Sequence, residues 1–236
     1  MNREVEWEGL PNARSLGGLP VLAPGATTTL HGRVFRSAAP THLTEAGWAA
    51  LAAAGVGTVI DLRTPGEGAD YRPPNGVAVR HAPIEDQTDR AFMSQFGMYL
   101  STPRYYPEVL VHWPHLVGPV FRAIADAPRH GVLVHCSDGQ DRTGQVAAML
   151  LSLVGVPPEV IADDYEASMR ANNAFGLVSP LAEHPGVDDA TLSIMVDEAR
   201  GLLLGWLADL DVERYLLSVG LSTQEVTALR ARLLMP

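Results

Sequence analysis

The chain has 236 residues, 47% of them hydrophobic, a formal net charge of −10, one cysteine, and 17 basic residues that are all arginine. That length suffices for a sizeable core. An acidic chain without a basic run argues against non-specific nucleic-acid binding and against binding to an anionic membrane. One thiol rules out an internal disulfide framework, and no apolar run approaches the ~20 residues that span a bilayer. The opening residues, Met1-Asn2-Arg3-Glu4-Val5-Glu6-Trp7-Glu8, are charged and hold no apolar signal region. With a reactive thiol suited to a reducing compartment, the expectation is a cytoplasmic protein with no membrane insertion.

In chain order, Arg33-Val34-Phe35-Arg36 reads as a strand. Thr44 is placed to cap a helix over 45–54, and Gly55 to stop it. Further strands are predicted over 58–62, 77–82 and 132–135. Between the third and fourth lies an interval, 86–117, with Phe92, Met93, Phe96, Met98, Tyr99, Tyr105, Tyr106 and Trp113. Such a surface is either a helical lid over a pocket or ordinary core packing, since Met and aromatic residues at helical spacing usually face inward. A long apolar helix pattern begins near Gln145 and breaks at Gly155 and Pro157-Pro158. Helical patterns fill the rest. Near the end, Ser222-Thr223-Gln224-Glu225 is a capping box, with Leu221 and Val226 as its hydrophobic staple. Strands alternating with helices predict an α/β fold, with a largely parallel central sheet flanked by helices and a helical C-terminal part. No repeat or low-complexity linker divides the chain, so 1–236 is expected to be a single domain.

The most informative segment is His135-Cys136-Ser137-Asp138-Gly139-Gln140-Asp141-Arg142-Thr143-Gly144, between the fourth strand and the long helix. Strand, tight loop and helix N-terminus bring backbone N–H groups and the positive end of the helix dipole onto one point, an arrangement for an anion. A cysteine at the start of such a loop sits in a field that favours its thiolate. Arg142, six positions on, can offer a planar fork to two phosphate oxygens. Residues Ser137, Asp138, Gly139, Gln140, Asp141 and Arg142 are therefore the expected phosphate-binding set, with Cys136 the nucleophile.

The segment resembles the His-Cys-x5-Arg-Thr/Ser-Gly signature of the protein tyrosine phosphatase superfamily. Asn12-Ala13-Arg14-Ser15-Leu16-Gly17-Gly18 is similar to the Asn-x-Arg-Asp-Leu-Gly-Gly opening of the bacterial atypical tyrosine and dual-specificity phosphatases. Further matches are Gly32-Arg33-Val34-Phe35-Arg36-Ser37-Ala38, Thr58-Val59-Ile60-Asp61-Leu62-Arg63, Asp164-Tyr165-Glu166-Ala167-Ser168 and the Tyr215 to Arg230 stretch. The resemblance covers roughly residues 10 to 235. It implies a phosphatase fold and a metal-independent hydrolysis of a phosphomonoester through a cysteinyl-phosphate, with 86–117 as the helical insertion. Two loop positions depart from the family pattern: Asp138 stands where alanine is usual, and Gln140 where lysine is usual. One positive charge is lost and one negative charge gained beside a dianion site. Ser15 likewise replaces the family's aspartate.

A leaving alkoxide needs a proton, so a carboxylic acid should lie within reach. Asp141 matches an aspartate the resembled family carries in its loop. Asp86 follows the third strand, where many superfamily members carry their acid, and Asp138 is a third candidate. Thr143 is expected to support the thiolate or cap the helix, His135 to orient the loop, and Arg14 and Arg36 to add positive charge near it. Asp61, Arg63 and Glu67 are expected in structural contacts. No His/Cys/Asp/Glu cluster has metal-ligand spacing, so neither metal nor cofactor is expected. The substrate is then a phosphoprotein residue such as phosphotyrosine or a small phosphorylated metabolite. The alternative reading is a non-catalytic phosphate-recognition module on the same fold, and sulfur transfer is disfavoured by the Arg-Thr-Gly ending.

Overall fold

The protein is described by a computed structural model over residues 3–22, 25–128, 130–182 and 184–235. Its sheet has five strands: β1 (Arg14–Ser15), β2 (Val34–Ser37), β3 (Val56–Asp61), β4 (Ala78–His81) and β5 (Gly131–His135). Their order is β1-β2-β5-β3-β4, parallel throughout except for β1, which runs antiparallel along β2. Strand β5 lies between β2 and β3 and is buried along its length. This accounts for the unbroken apolar run Val132-Leu133-Val134, since a parallel strand with both faces covered needs no polar alternation.

Successive side chains still point to opposite faces. Val34, Ile60, Val132 and Val134 join one apolar cluster, and Phe35, Val59 and Leu133 join the other. The smaller cluster is closed by α1 (Glu45–Ala53) and by Trp7 and Leu10 from the N-terminal segment. The larger contains residues of α4 (Pro114–Ala125), α5 (Asp141–Leu153), α6 (Pro158–Val178), α7 (Asp189–Asp209), α8 (Val212–Ser218) and α9 (Thr223–Leu234). This is the α/β layering expected from the sequence. No helix among the described residues is long and apolar enough to cross a membrane.

Several local expectations are met closely. Thr44 caps α1 by accepting from the Gly47 N–H, and Ser222 and Glu225 form the reciprocal capping box of α9. The strands lie within two residues of their expected bounds. The helix expected near Gln145 instead starts at Asp141, because the Gly144 N–H already donates to the Gln140 carbonyl at 2.7 Å. The short edge strand β1 is an addition to the expected set. Within 86–117 the chain forms α2 (Arg90–Phe96) and α3 (Tyr106–His112). Phe92, Tyr105, Tyr106 and Trp113 are buried in the larger core cluster, whereas Met98 is exposed.

Register places the chemistry. Ser37 pairs with His135, and His135 with Asp61, so β2, β5 and β3 end at one level. The loops leaving these strands, around 38–42, 136–140 and 62–69, therefore gather at the carboxyl edge of the sheet, where open α/β sheets bind ligands.

Candidate active site

Cys136 leaves the end of β5 and is almost fully buried. The turn that follows depends on Gly139, whose φ is +69°. A Cβ there would lie 2.2 Å from the carbonyl carbon and oxygen of Ser37, so the loop can pass over β2 only without a side chain. Gly144 has a similar constraint, since its Cβ would meet the Tyr165 ring at 2.8 Å. These two glycines let the loop and the first turn of α5 pack directly on β2 and α6.

Every carbonyl from 136 to 140 has a donor outside the loop or in the helix. His135 Nδ1 lies 2.9 Å from the Cys136 oxygen. The Ala39 N–H donates to Ser137 O, Asn12 Nδ2 to Asp138 O, and Arg36 Nη2 to Gly139 O at 2.7 Å and to Gln140 O at 3.3 Å. No acceptor among the described residues takes the N–H groups of residues 137–140. In a trans peptide the N–H points opposite to the preceding C=O. These N–H groups therefore turn away from their anchored carbonyls, as an anion-binding nest requires.

Burial holds the His135 imidazole neutral, with its pKa pushed down to about 4. A carbonyl can only accept, so the proton sits on Nδ1, and Nε2 accepts from the Tyr71 hydroxyl at 2.6 Å. His135 is thus an anchor for the loop.

Arg142 is buried to 8% exposure. Glu67 grips its terminal edge with both carboxylate oxygens, Oε2 at 2.6 Å from Nη1 and Oε1 against Nη2, and Ser137 Oγ donates to Glu67 Oε1 at 2.8 Å. Glu85 Oε1 lies 3.2 Å from Nε without the alignment of a hydrogen bond. Burial alone would lower the Arg142 pKa, but its hydrogen bonds to Glu67 and the neighbouring acids raise it, so it is a permanent cation. The Glu67 carboxyl is correspondingly held below its usual range, against the effect of burial, by the Arg142 hydrogen bonds. Burial pushes Glu85 up instead. Two acidic side chains thus orient one guanidinium.

Asp141 opens α5 with its carboxyl facing inward. Tyr165 Oη donates to Oδ1 at 2.6 Å, and Tyr106 Oη donates to the Asp141 carbonyl at 2.7 Å. Burial raises the Asp141 pKa to about 7, opposed by the hydrogen bonds it accepts. Asp138 is also pushed up by burial. Asp86 lies apart from this group: its hydrogen bonds are local, with Oδ1 accepting from the N–H and hydroxyl of Thr88. Its neighbour Glu85 is the residue that reaches Arg142. Thr143 is fully buried, and its hydroxyl has no partner among the described residues. Arg14 is bound to Asp164 and reaches the loop only through Asn12. Gln140 turns its side chain toward α6, where Asn172 Nδ2 donates to Oε1 at 3.2 Å.

Beside the loop is a cavity of about 490 Å³. Asp138, Gln140, Asp141, Asn172, Phe175 and Met195 are among the residues that line it. Arg63 also lines it, already bidentate to Asp61. Of the 86–117 segment, Ser101 contributes to the lining.

Glu85, Tyr71 and Tyr106 are not among the site residues expected from the sequence, and neither is the contact of Tyr165 with Asp141. None of these belongs to the loop motif, and only Tyr165 falls within one of the flanking landmarks. A buried acid in the apolar stretch Ala82-Pro83-Ile84-Glu85 is the one signal that could point to them.

The sequence matches the model of the tyrosine phosphatase family over residues 5–235. It is 31% identical to a tyrosine-protein phosphatase of Nostoc commune, over 92% of this chain and 82% of that one. It is 30% identical to a triple specificity protein phosphatase of Mycobacterium tuberculosis, over 65% of this chain and 66% of the relative.

Proposed function

Since the chain belongs to the tyrosine phosphatase family and is a phosphoric monoester hydrolase, we propose that Cys136 carries the reaction as a covalent nucleophile on a monophosphate ester. The observation that supports this most directly is the loop itself. Four consecutive N–H groups without an acceptor among the described residues follow the single thiol, with a buried, doubly oriented arginine at the far end.

In the proposed first step the phosphate enters with its oxygens on the N–H groups of residues 137–140 and on the Nε side of Arg142, where it takes the place of the Glu85 carboxyl. The Cys136 thiolate attacks phosphorus in line, the P–O bond to the alcohol breaks, and Asp141 gives its proton to the departing oxygen. That requires a neutral carboxyl near pH 7, which the burial of Asp141 supports. In the second step Asp141, now ionised, takes a proton from water as the water oxygen attacks the cysteinyl-phosphate. Sulfur leaves as thiolate and inorganic phosphate is released. Dividing one difficult displacement in two is the gain of covalent catalysis. Asp86, another of the three acids suggested by the sequence, has its carboxyl engaged with Thr88, so Asp141 is better supported than Asp86 as the proton donor.

The substrate we propose is a compact monophosphate with an uncharged body: a phosphotyrosine-like residue or a small phosphorylated metabolite. The cavity lining offers amides, apolar side chains and the imidazoles of His42 and His184, and the Arg63 guanidinium is already neutralised by Asp61. A second phosphate would meet the amide of Gln140 in place of a lysine, and the carboxyl of Asp138 close by.

The deciding experiment is Cys136→Ser in a folded protein, with turnover of an aryl phosphate as the readout. Turnover should vanish while inorganic phosphate still binds. Substantial residual turnover would overturn the covalent mechanism. Arg142→Lys should be nearly as damaging, because a point-charge ammonium cannot replace a two-pronged contact.

A further inference from the structure

Behind the loop, on the side away from the cavity, three arginines converge on one carboxylate. Asp164 accepts from Arg3 Nη1 at 2.7 Å, Arg14 Nε at 2.9 Å and Arg36 Nη1 at 2.6 Å. Asp164 and Arg36 are each only 1% exposed. Burial alone would raise the Asp164 pKa, but the arginines hold it far below the usual carboxylate range. Burial and the other two arginines lower Arg14 to about 10, still a cation at neutral pH. The cluster therefore keeps a surplus of positive charge beneath the loop.

Its contacts on the loop side are to carbonyls. Arg36 Nη2 holds Gly139 O and Gln140 O. Arg14 Nη1 donates to Asn12 Oδ1 at 2.5 Å, which leaves the Asn12 Nδ2 to donate to Asp138 O at 2.9 Å. Three successive carbonyls are thereby drawn to one side. Asn12 has a φ of +56°, a backbone that asparagine tolerates and that places its amide between Arg14 and the loop.

We propose that Asn12, Arg36 and Asp164 are positioning residues that aim the peptide N–H groups of the loop at the anion by tethering its carbonyls from behind. The inference rests on the reading of the loop as an anion cradle. None of the three touches the phosphate: each acts through the peptide planes, which turn as rigid units. The cluster also adds its positive charge from beneath, in a loop whose rim has Gln140 in place of a lysine. An N-terminal segment distant in sequence becomes part of the phosphate site by this route, since Arg3, Asn12 and Arg14 all belong to it.

The test uses the single cysteine. Cys136 is alkylated with iodoacetate, an anion, and with iodoacetamide, its neutral counterpart, and the rate ratio is compared with that of N-acetylcysteine. The ratio cancels the thiolate fraction and reports the cradle alone. Competitive inhibition by inorganic phosphate is measured alongside. Wild-type protein should prefer iodoacetate. Asn12→Gly, which keeps the left-handed backbone and removes no charge, should cut that preference and weaken phosphate inhibition by about fivefold, the factor that goes with one neutral hydrogen bond. Arg36→Lys, losing both carbonyl contacts, should lose more. If wild type shows no preference for iodoacetate, the cradle reading falls and the inference with it. If wild type shows the preference and folded Asn12→Gly keeps both it and its phosphate affinity, the positioning role is refuted and the chemistry of Cys136 stands. Should Arg36→Lys fail to fold, Asn12→Gly decides by itself.

Discussion

Replacing Asp141 by asparagine separates the proposed acid from every other group in the site. The carboxyl lies at the first turn of α5 and accepts from the Tyr165 hydroxyl, and burial raises its pKa to about 7. Below that pH it holds the proton that the leaving oxygen needs, so wild-type turnover of an ester with a poor leaving group should fall as pH rises through about 7. General acid catalysis is worth roughly 10²–10⁴ in rate. Asp141→Asn should lose a factor of that size with an alkyl phosphate and much less with p-nitrophenyl phosphate, whose phenolate leaves almost unaided. The descending limb of the pH profile should disappear with it. Stability gives an independent reading of the same group. Its folded pKa lies above its unfolded value, so the folded state holds a proton that the unfolded chain gives up. The resulting stability is fully present below about pH 4, declines between pH 4 and 7, and is gone above 7. The gap between the ordinary 3.8 and about 7 corresponds to about 4 kcal/mol. Asparagine does not titrate, so the thermal stability of the variant relative to wild type should rise from pH 4 to 7 and then level. Equal rate losses for good and poor leaving groups, with the limb retained, would show that the acid is another residue. Asp86 would then be the first to examine.

Glu67→Gln should raise KM and weaken phosphate inhibition, because an amide can no longer accept from both Nη atoms of Arg142 and the fork loses its fixed orientation; steady-state kinetics with an aryl phosphate would expose an unchanged KM, which would refute that role. Gln140→Lys adds a cation to the cavity lining, where a nearby charge is worth on the order of 1 kcal/mol or more. It should raise kcat/KM for polyphosphorylated compounds relative to monophosphates, and a wild-type preference for inositol polyphosphates would contradict the argument from loop charge. Gly139→Ala should abolish turnover and destabilise the fold by more than the ~1 kcal/mol of a left-handed alanine, since its Cβ would lie 2.2 Å from the Ser37 carbonyl; a melt together with an activity assay checks both.

Local chemistry is legible in the amino-acid sequence of this protein. Strand, loop and helix around Cys136 follow from an apolar run, a glycine-containing turn and an amphipathic stretch, all written in neighbouring residues. The caps at Thr44 and Ser222 can be read for the same reason, because a cap is a bond to a backbone group three residues away. The spacing of Cys136 and Arg142, the proposed nucleophile and clamp, likewise puts them at the two ends of one short loop.

What only the tertiary structure decided are the partners that arrive from far along the chain. Glu67 and Glu85 meet Arg142 because β3 ends beside β5 and β4 beside β3 along the same edge of the sheet, and Tyr165 meets Asp141 because α6 lies against α5 across Gly144. Asn12, Arg14 and Arg36 reach the loop because the N-terminal segment and β2 run behind it. The choice between Asp141 and Asp86 turns on the same point. Both are loop-edge aspartates in the sequence, but one is held by the Tyr165 hydroxyl and the other satisfied by its own turn. Sequence spacing states which groups a short segment can bring together. Desolvation and long-range pairing, which set the charge state of those groups, depend on what the rest of the fold packs against them.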